Sequence, residues 1–161
     1  MMERKSCPKP IKPPKLKKWE KAVKIKKPLS ITQLRLQEKK EIKKLTIQVK
    51  QLCSHICRKM WGGKCAVCGK PGTAAHHFFG WKACAVLRFT LNNLIWLCYY
   101  CHIGKVHQQG LTEPVRVKII ERIGQEAFDA MYEIAFSPKT WGLEELKLIK
   151  LSLEGLLNET K

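Results

Sequence analysis

The chain has no apolar run long enough to span a bilayer. Its first 28 residues hold ten Lys and five Pro and no apolar segment of the kind that opens a secretory signal. These two absences predict a cytosolic protein with no membrane partner. No internal repeat is present, which excludes a solenoid or array. Acid is missing locally: from Ile42 to Thr112, 71 consecutive residues contain no Asp or Glu. At 161 residues, 45% hydrophobic and 8% aromatic, the chain is sized for one ordinary domain with a tail.

Basic charge is abundant and unevenly placed. The net charge is +18, and residues 1 to 60 carry 19 basic against 4 acidic side chains. Such a field suits a polyanion, because each Lys or Arg beside a phosphate releases condensed counterions and adds affinity independent of sequence. Nucleic acid is the expected partner. The alternatives are a solvated tail that aids solubility, or an anionic membrane surface.

Residues 1–28 cannot bury enough surface to offset their ordering entropy and read as a disordered basic arm. In residues 29–60, Ile42, Leu45, Val49, Leu52 and Ile56 recur at spacings of three and four, predicting an amphipathic helix over Ile31 to Met60 that ends at Gly62 and Gly63. Residues 61–112 are rich in Cys, His and Gly, with short possible strands at Val86 to Thr90 and Asn93 to Leu97. Residues 113–161 form a helical extension. Thr112 and Pro114 open a first helix that buries Val115, Ile119, Ile120 and Ile123 and stops at Gly124. A short one covers Glu126 to Ala135, and a third, Leu143 to Leu157, aligns Leu146, Ile149, Leu153 and Leu156.

Cys65-Ala-Val-Cys68 and Cys98-Tyr-Tyr-Cys101 are two C-x-x-C pairs separated by 29 residues. Two tight turns offering two thiolates each can close a tetrahedral site around a structural Zn2+ and supply the folding free energy that a sparse core lacks. Disulfides, or a redox C-x-x-C, are the competing readings. Cys53, Cys57 and Cys84 read as small buried hydrophobes rather than a second metal site, and Cys7 as an idle thiol.

Between and after these pairs stand His76-His77, then Asn93 after fifteen intervening residues, then His102 after eight more. With the string Asn93-Leu-Ile-Trp-Leu-Cys98-Tyr-Tyr-Cys101-His102, this resembles the H-N-H nuclease motif in its zinc-stapled form. Phosphodiester hydrolysis needs a base for water and a divalent cation for the developing charge. Without carboxylates a two-metal Asp/Glu site is excluded from this stretch, and one metal held by imidazoles remains. The expected catalytic set is His77, Asn93 and His102: His77 as general base, His76 and His102 as ligands of one divalent ion (Mg2+, Mn2+ or Ni2+), and Asn93 orienting the loop or the base. His107 is a secondary candidate. The competing reading makes the histidines zinc ligands or ordinary surface, and Asn93 a turn former. The resemblance implies a ββα-metal fold, hence an α+β protein whose small zinc-stapled core is flanked by the long helix and the C-terminal helices.

From about Lys64 to Leu151 the chain also resembles the phage NinG/Rap recombination endonucleases. The residues that carry this are Leu87-Arg88-Phe89, Asn93 with the second Cys pair, Arg116-Val117, Ile120, Arg122-Ile-Gly-Gln-Glu-Ala127 with Asp129, Trp141 and Glu144-Glu145. That family implies cleavage of branched DNA such as Holliday junctions and D-loops, with recombination proteins as partners and a homodimer for symmetric cutting. The chain departs from it where Asp often precedes the motif His and Asn follows the second Cys pair. Here Ala74 or His76, and then His102, stand instead, and imidazoles favour Mn, Ni or Zn over Mg. Expected DNA contacts are Lys39, Lys40, Lys43, Lys44, Lys50, Arg58, Lys59, Lys82, Arg88 and Lys105. Alternatives are an H-N-H nicking or restriction-like enzyme without branch preference, a non-catalytic zinc module, and RNA stacked on Trp61, Trp81 and Trp96.

Overall fold

A computed structural model describes residues 29–159. The expected disordered arm, 1–28, lies outside the described residues. From Ile31 onward the described residues form one compact unit.

Helix α1 spans Ile31–Met60 and buries Leu45, Val49, Cys53, Ile56 and Cys57. Gly62 and Gly63 both take positive φ (59° and 69°), a conformation that side chains with a Cβ disfavour, and their N–H groups return to the carbonyls of Lys59 and Arg58. Strands β1 (Ala74–His77) and β2 (Leu94–Leu97) pair antiparallel, with Ala74 opposite Leu97, Ala75 opposite Trp96, His76 opposite Ile95 and His77 opposite Leu94. A nine-residue π-helix, Tyr100–Gln108, follows directly. Helices α2 (Glu113–Ile123), α3 (Gln125–Ile134) and α4 (Leu143–Glu159) complete the chain. The protein is therefore α+β, largely helical around a two-stranded sheet.

The hairpin sits between two cores. Successive side chains of a strand point to opposite faces. Ile95 and Leu97 accordingly enter one core with Val106 of the π-helix, Val115 and Ile119 of α2, and Phe128 and Met131 of α3. Leu94 and Trp96 enter the other, with Leu45, Val49 and Ile56 of α1 and Leu146 and Leu153 of α4. Burial on both faces explains why β2 reads as an unbroken apolar run.

Three expectations are corrected. Val86 to Thr90 is not a strand: Ala85–Leu87 forms a 3-10 turn, and Leu87 and Phe89 plug into different cores while the backbone bonds locally. Asn93 belongs to a second 3-10 turn, Leu91–Asn93, so β2 begins one residue later. On α4, Leu157 rather than Leu156 packs inward, and Leu156 is 44% exposed. At about 100° per residue, position 157 lies roughly 20° from the line through Leu146, whereas 156 lies roughly 80° away. Thr112 precedes α2 without a side-chain cap, and Pro114 occupies the first turn. Val115 and Ile119 are buried, with Ile120 and Ile123 packed partly against the same core. No helix among the described residues is long and apolar enough to cross a membrane.

Candidate metal centres and their surroundings

The two C-x-x-C turns converge. Sulfurs of Cys65, Cys68, Cys98 and Cys101 all lie within 4.8 Å of one another, with Cys68 Sγ 3.6 Å from Cys98 Sγ. A tetrahedral zinc with Zn–S of about 2.3 Å places its sulfurs about 3.8 Å apart, so these four could hold such an ion. Backbone N–H groups aim at the cluster: Cys101 N–H donates to Cys98 Sγ at 3.5 Å. Burial opposes the Cys65 thiolate, but hydrogen bonds from the backbone of Cys98, Cys68 and Val67 and from the Cys68 side chain outweigh it and bring its pKa down to about 7. Burial first, then the neighbouring sulfurs, push the Cys101 thiol up.

A second cluster joins β1 to the π-helix. Nitrogens of His76, His102 and His107 lie within 4.8 Å of one another. The ring centroids of His76 are 4.9 Å from His102 and 5.3 Å from His107, and those two are 4.9 Å apart. The helix type makes the third member possible. Five residues along an α-helix turn the side chain about 140° away, whereas a π-helix, closing i→i+5 bonds, returns it to the same face. His107 therefore joins His102, a step that spacing alone does not give. Burial, then the charges of His102, His107 and His77, hold His76 at a pKa of about 3. Burial, then His107, lowers His102. The buried His76 is thus neutral, with a lone pair to donate.

His77 takes the opposite face of the strand, toward α1. Its ring meets the Trp81 indole edge-on at 5.1 Å, and Nε2 lies 3.0 Å from the Arg88 carbonyl. A carbonyl can only accept, so Nε2 carries the proton and Nδ1 keeps a lone pair. Burial, with the charges of Lys50 and Arg88, lowers the His77 pKa against the raising effect of that bond. Beside it opens a recess of about 130 Å3 lined by Lys50, Cys53, Ser54, Ala75, Trp81 and Leu94. Lys50 Nζ lies 5.2 Å over the Trp81 ring. Lys39, Lys43 and Lys50 fall on one line of α1 that leads to this recess.

Asn93 is fully buried and acts on the loop between the strands. Its Oδ1 accepts from Phe79 N–H at 2.8 Å, while Nδ2 donates to the carbonyls of Phe79 (3.0 Å) and Leu87 (3.2 Å). It thereby fixes the chain just beyond His77. Two residues that the sequence marks only through the family resemblance, with no role assigned to them, brace the same loop. Arg122 of α2 donates to the carbonyls of Leu91 (3.1 Å) and Asn92 (3.3 Å), and Trp141 Nε1 donates to Ala85 O at 2.9 Å.

Of the expected DNA contacts, Lys39, Lys40, Lys43, Lys44, Lys50, Arg58, Lys59 and Lys82 are exposed. Arg88 is instead turned inward, donating through Nε and a terminal nitrogen to Trp81 O at 3.3 Å each. Lys105 lies half-buried over Tyr100. Cys53, Cys57 and Cys84 are buried, and burial raises the first two thiols to about 11 and about 12.

Comparison with known proteins matches residues 3–161 to the family described as "Bacteriophage Lambda NinG protein". Protein ninG of Escherichia phage lambda is 34% identical over 100 residues, covering 60% of this chain and 47% of that protein. Protein ninG of Escherichia phage 933W is 33% identical over 100 residues, with 60% and 48% covered. Protein ninG of Enterobacteria phage H19B is 38% identical over 87 residues, with 54% and 41% covered. The chain thus spans about half the length of the curated relatives it matches. No solved structure matches it significantly.

Proposed function

Because the chain belongs to the bacteriophage lambda NinG family, we propose that it is a metal-dependent DNA endonuclease of the H-N-H, ββα-metal type, directed at branched DNA in phage recombination. The observation that carries this reading is the cluster of His76, His102 and His107, held between a β-hairpin and the helix that follows it, with His77 at the adjoining strand position. Three imidazoles suit one divalent ion, by ligand type Mn2+ or Ni2+ more than Mg2+. When bound, such an ion supplies charge neutralisation at the phosphate and the leaving oxygen.

The chain's own groups do the rest. His77, its Nε2–H committed to the Arg88 carbonyl, offers Nδ1 to a water. As that proton moves to Nδ1, the water oxygen bonds to phosphorus and the bond to the leaving deoxyribose oxygen breaks, that oxygen taking a proton from solvent. Lys50, at the mouth of the recess beside His77, holds positive charge where a phosphate oxygen would sit. Asn93 keeps the loop closed behind the base and does not itself touch substrate. Zn2+ on Cys65, Cys68, Cys98 and Cys101 would be structural, since four thiolates leave no open position. The remaining α1 lysines supply backbone affinity, and symmetric junction cutting would call for two copies of the chain, working with other recombination proteins.

The test is cleavage of a labelled four-way junction beside its matching linear duplex by zinc-replete protein, with Mg2+, Mn2+ or Ni2+ added. Junction-selective cutting that requires the added ion supports the reading. Equal rates on both substrates would leave a nuclease without branch preference. Binding with no cutting in any ion would make the chain a zinc-stapled DNA-binding module.

A further inference from the structure

The turn Cys98-Tyr99-Tyr100-Cys101 carries two tyrosines between two candidate metal-ligating sulfurs, and both rings lie outside: Tyr99 is 70% and Tyr100 62% exposed. Neither belongs to a core, although Phe79, Phe89 and Trp96 of the same chain are buried. Tyr100 is nevertheless held. Its ring leans on the π-helix backbone at Gly104, where a Cβ would come within 3.3 Å of Cδ2 and 3.5 Å of Cε2, and Lys105 Nζ lies 5.7 Å from its centroid. A larger residue at 104 would push the ring out of this seat.

The surroundings are cationic. Exposed Lys64 and Lys70 flank the other cysteine turn, whose Cys68 sulfur is 3.6 Å from that of Cys98. No carboxylate side chain occurs anywhere from residue 42 to 112. Two residues beyond Tyr100, on the same helix, stands His102 of the histidine cluster. Two exposed rings, one of them held beside a cation, in a stretch without acid, suit a ligand that has both a flat π-face and a negative charge, which is a nucleotide. Inside a continuous duplex each base face is covered by its neighbours. A free face exists only where stacking is interrupted, at a branch, a bulge or a single strand.

We propose that the Tyr99–Tyr100 edge is a stacking platform for an unpaired nucleobase of the DNA bound at the histidine cluster. This rests on the DNA reading above and deepens it, because the platform would favour branched over continuous DNA without any sequence readout.

Binding tests it directly. Full-length, zinc-replete protein is titrated, with no catalytic ion added, into a fork carrying 2-aminopurine as the unpaired base at the branch, and into the matched linear duplex. For a Tyr99→Ser/Tyr100→Ser variant of unchanged zinc content, fork affinity should fall about tenfold or more. The change in 2-aminopurine emission should disappear, and duplex affinity should stay the same. The Tyr99→Phe/Tyr100→Phe variant, which keeps both π-faces, should behave as the parent. Unchanged fork affinity and emission in the serine variant would overturn the proposal, and that is also the outcome expected if the edge docks a protein. Because the readout is binding, it is independent of cleavage: failure to cut any DNA would remove the nuclease reading alone.

Discussion

Asn93 and His107 illustrate how single side chains carry this site by different means. Asn93 uses its amide to satisfy three backbone groups of a loop with no regular partner. Asn93→Ala would orphan the Phe79 N–H and two carbonyls, so it should cost about 3 kcal/mol of stability in urea unfolding. A loss under about 1 kcal/mol would mean that the loop is held elsewhere. His107 acts by donor number. On zinc-replete protein, His107→Ala should weaken Mn2+ or Ni2+ binding in a calorimetric titration by at least about tenfold, the scale that even outer-shell changes reach. Unaltered affinity would exclude it as a ligand. The four cysteines, His76 and His102 are legible because their spacing in the chain is the spacing of the turns that join them. His107 is legible only as a secondary candidate, because α-helical geometry sends it to the wrong face and the π-helix recovers it. The inward turn of Arg88 is equally hidden, since a basic residue in a loop gives no sign of which carbonyl will take it.

At the scale of elements, the hairpin is short and depends on what surrounds it. Four residues per strand make a marginal sheet. Both cysteine turns lie at its open end, where Ala74 faces Leu97: Thr73 N–H donates to Leu97 O and Ala66 N–H to Trp96 O, tying the first turn to β2. Loss of the metal should therefore unravel the site before the helices. A strong chelator should abolish the tertiary near-ultraviolet signal of Trp96 and Trp61 while much far-ultraviolet helical signal from α1 and α4 persists. An unchanged near-ultraviolet spectrum in metal-free protein would contradict a structural role for the ion. The bounds of α1 are readable from its apolar period and the Gly pair that stops it. The run 86–90 misleads because a short apolar stretch carries no period that separates a strand from a plugged loop.

For the whole molecule, charge and layering act together. The sheet is sandwiched between two cores, an arrangement that depends on contacts distant in sequence and is invisible to local pattern. The consequence is that His76 and His77, neighbours in the chain, serve different faces: one toward the π-helix, the other toward the lysine row of α1. DNA affinity should fall steeply with salt, and replacing Lys39, Lys43 and Lys50 by Gln should flatten the log–log slope by about 0.9 for each phosphate left without its cation. An unchanged slope would remove that row from the interface. The most direct test of the account is single-turnover cleavage of a four-way junction by His77→Ala, with zinc content and junction binding measured on the same preparation. A cleavage rate reduced at least about a hundredfold, with both other quantities intact, is the predicted result. Cleavage at the parental rate would contradict the assignment of His77 as the base.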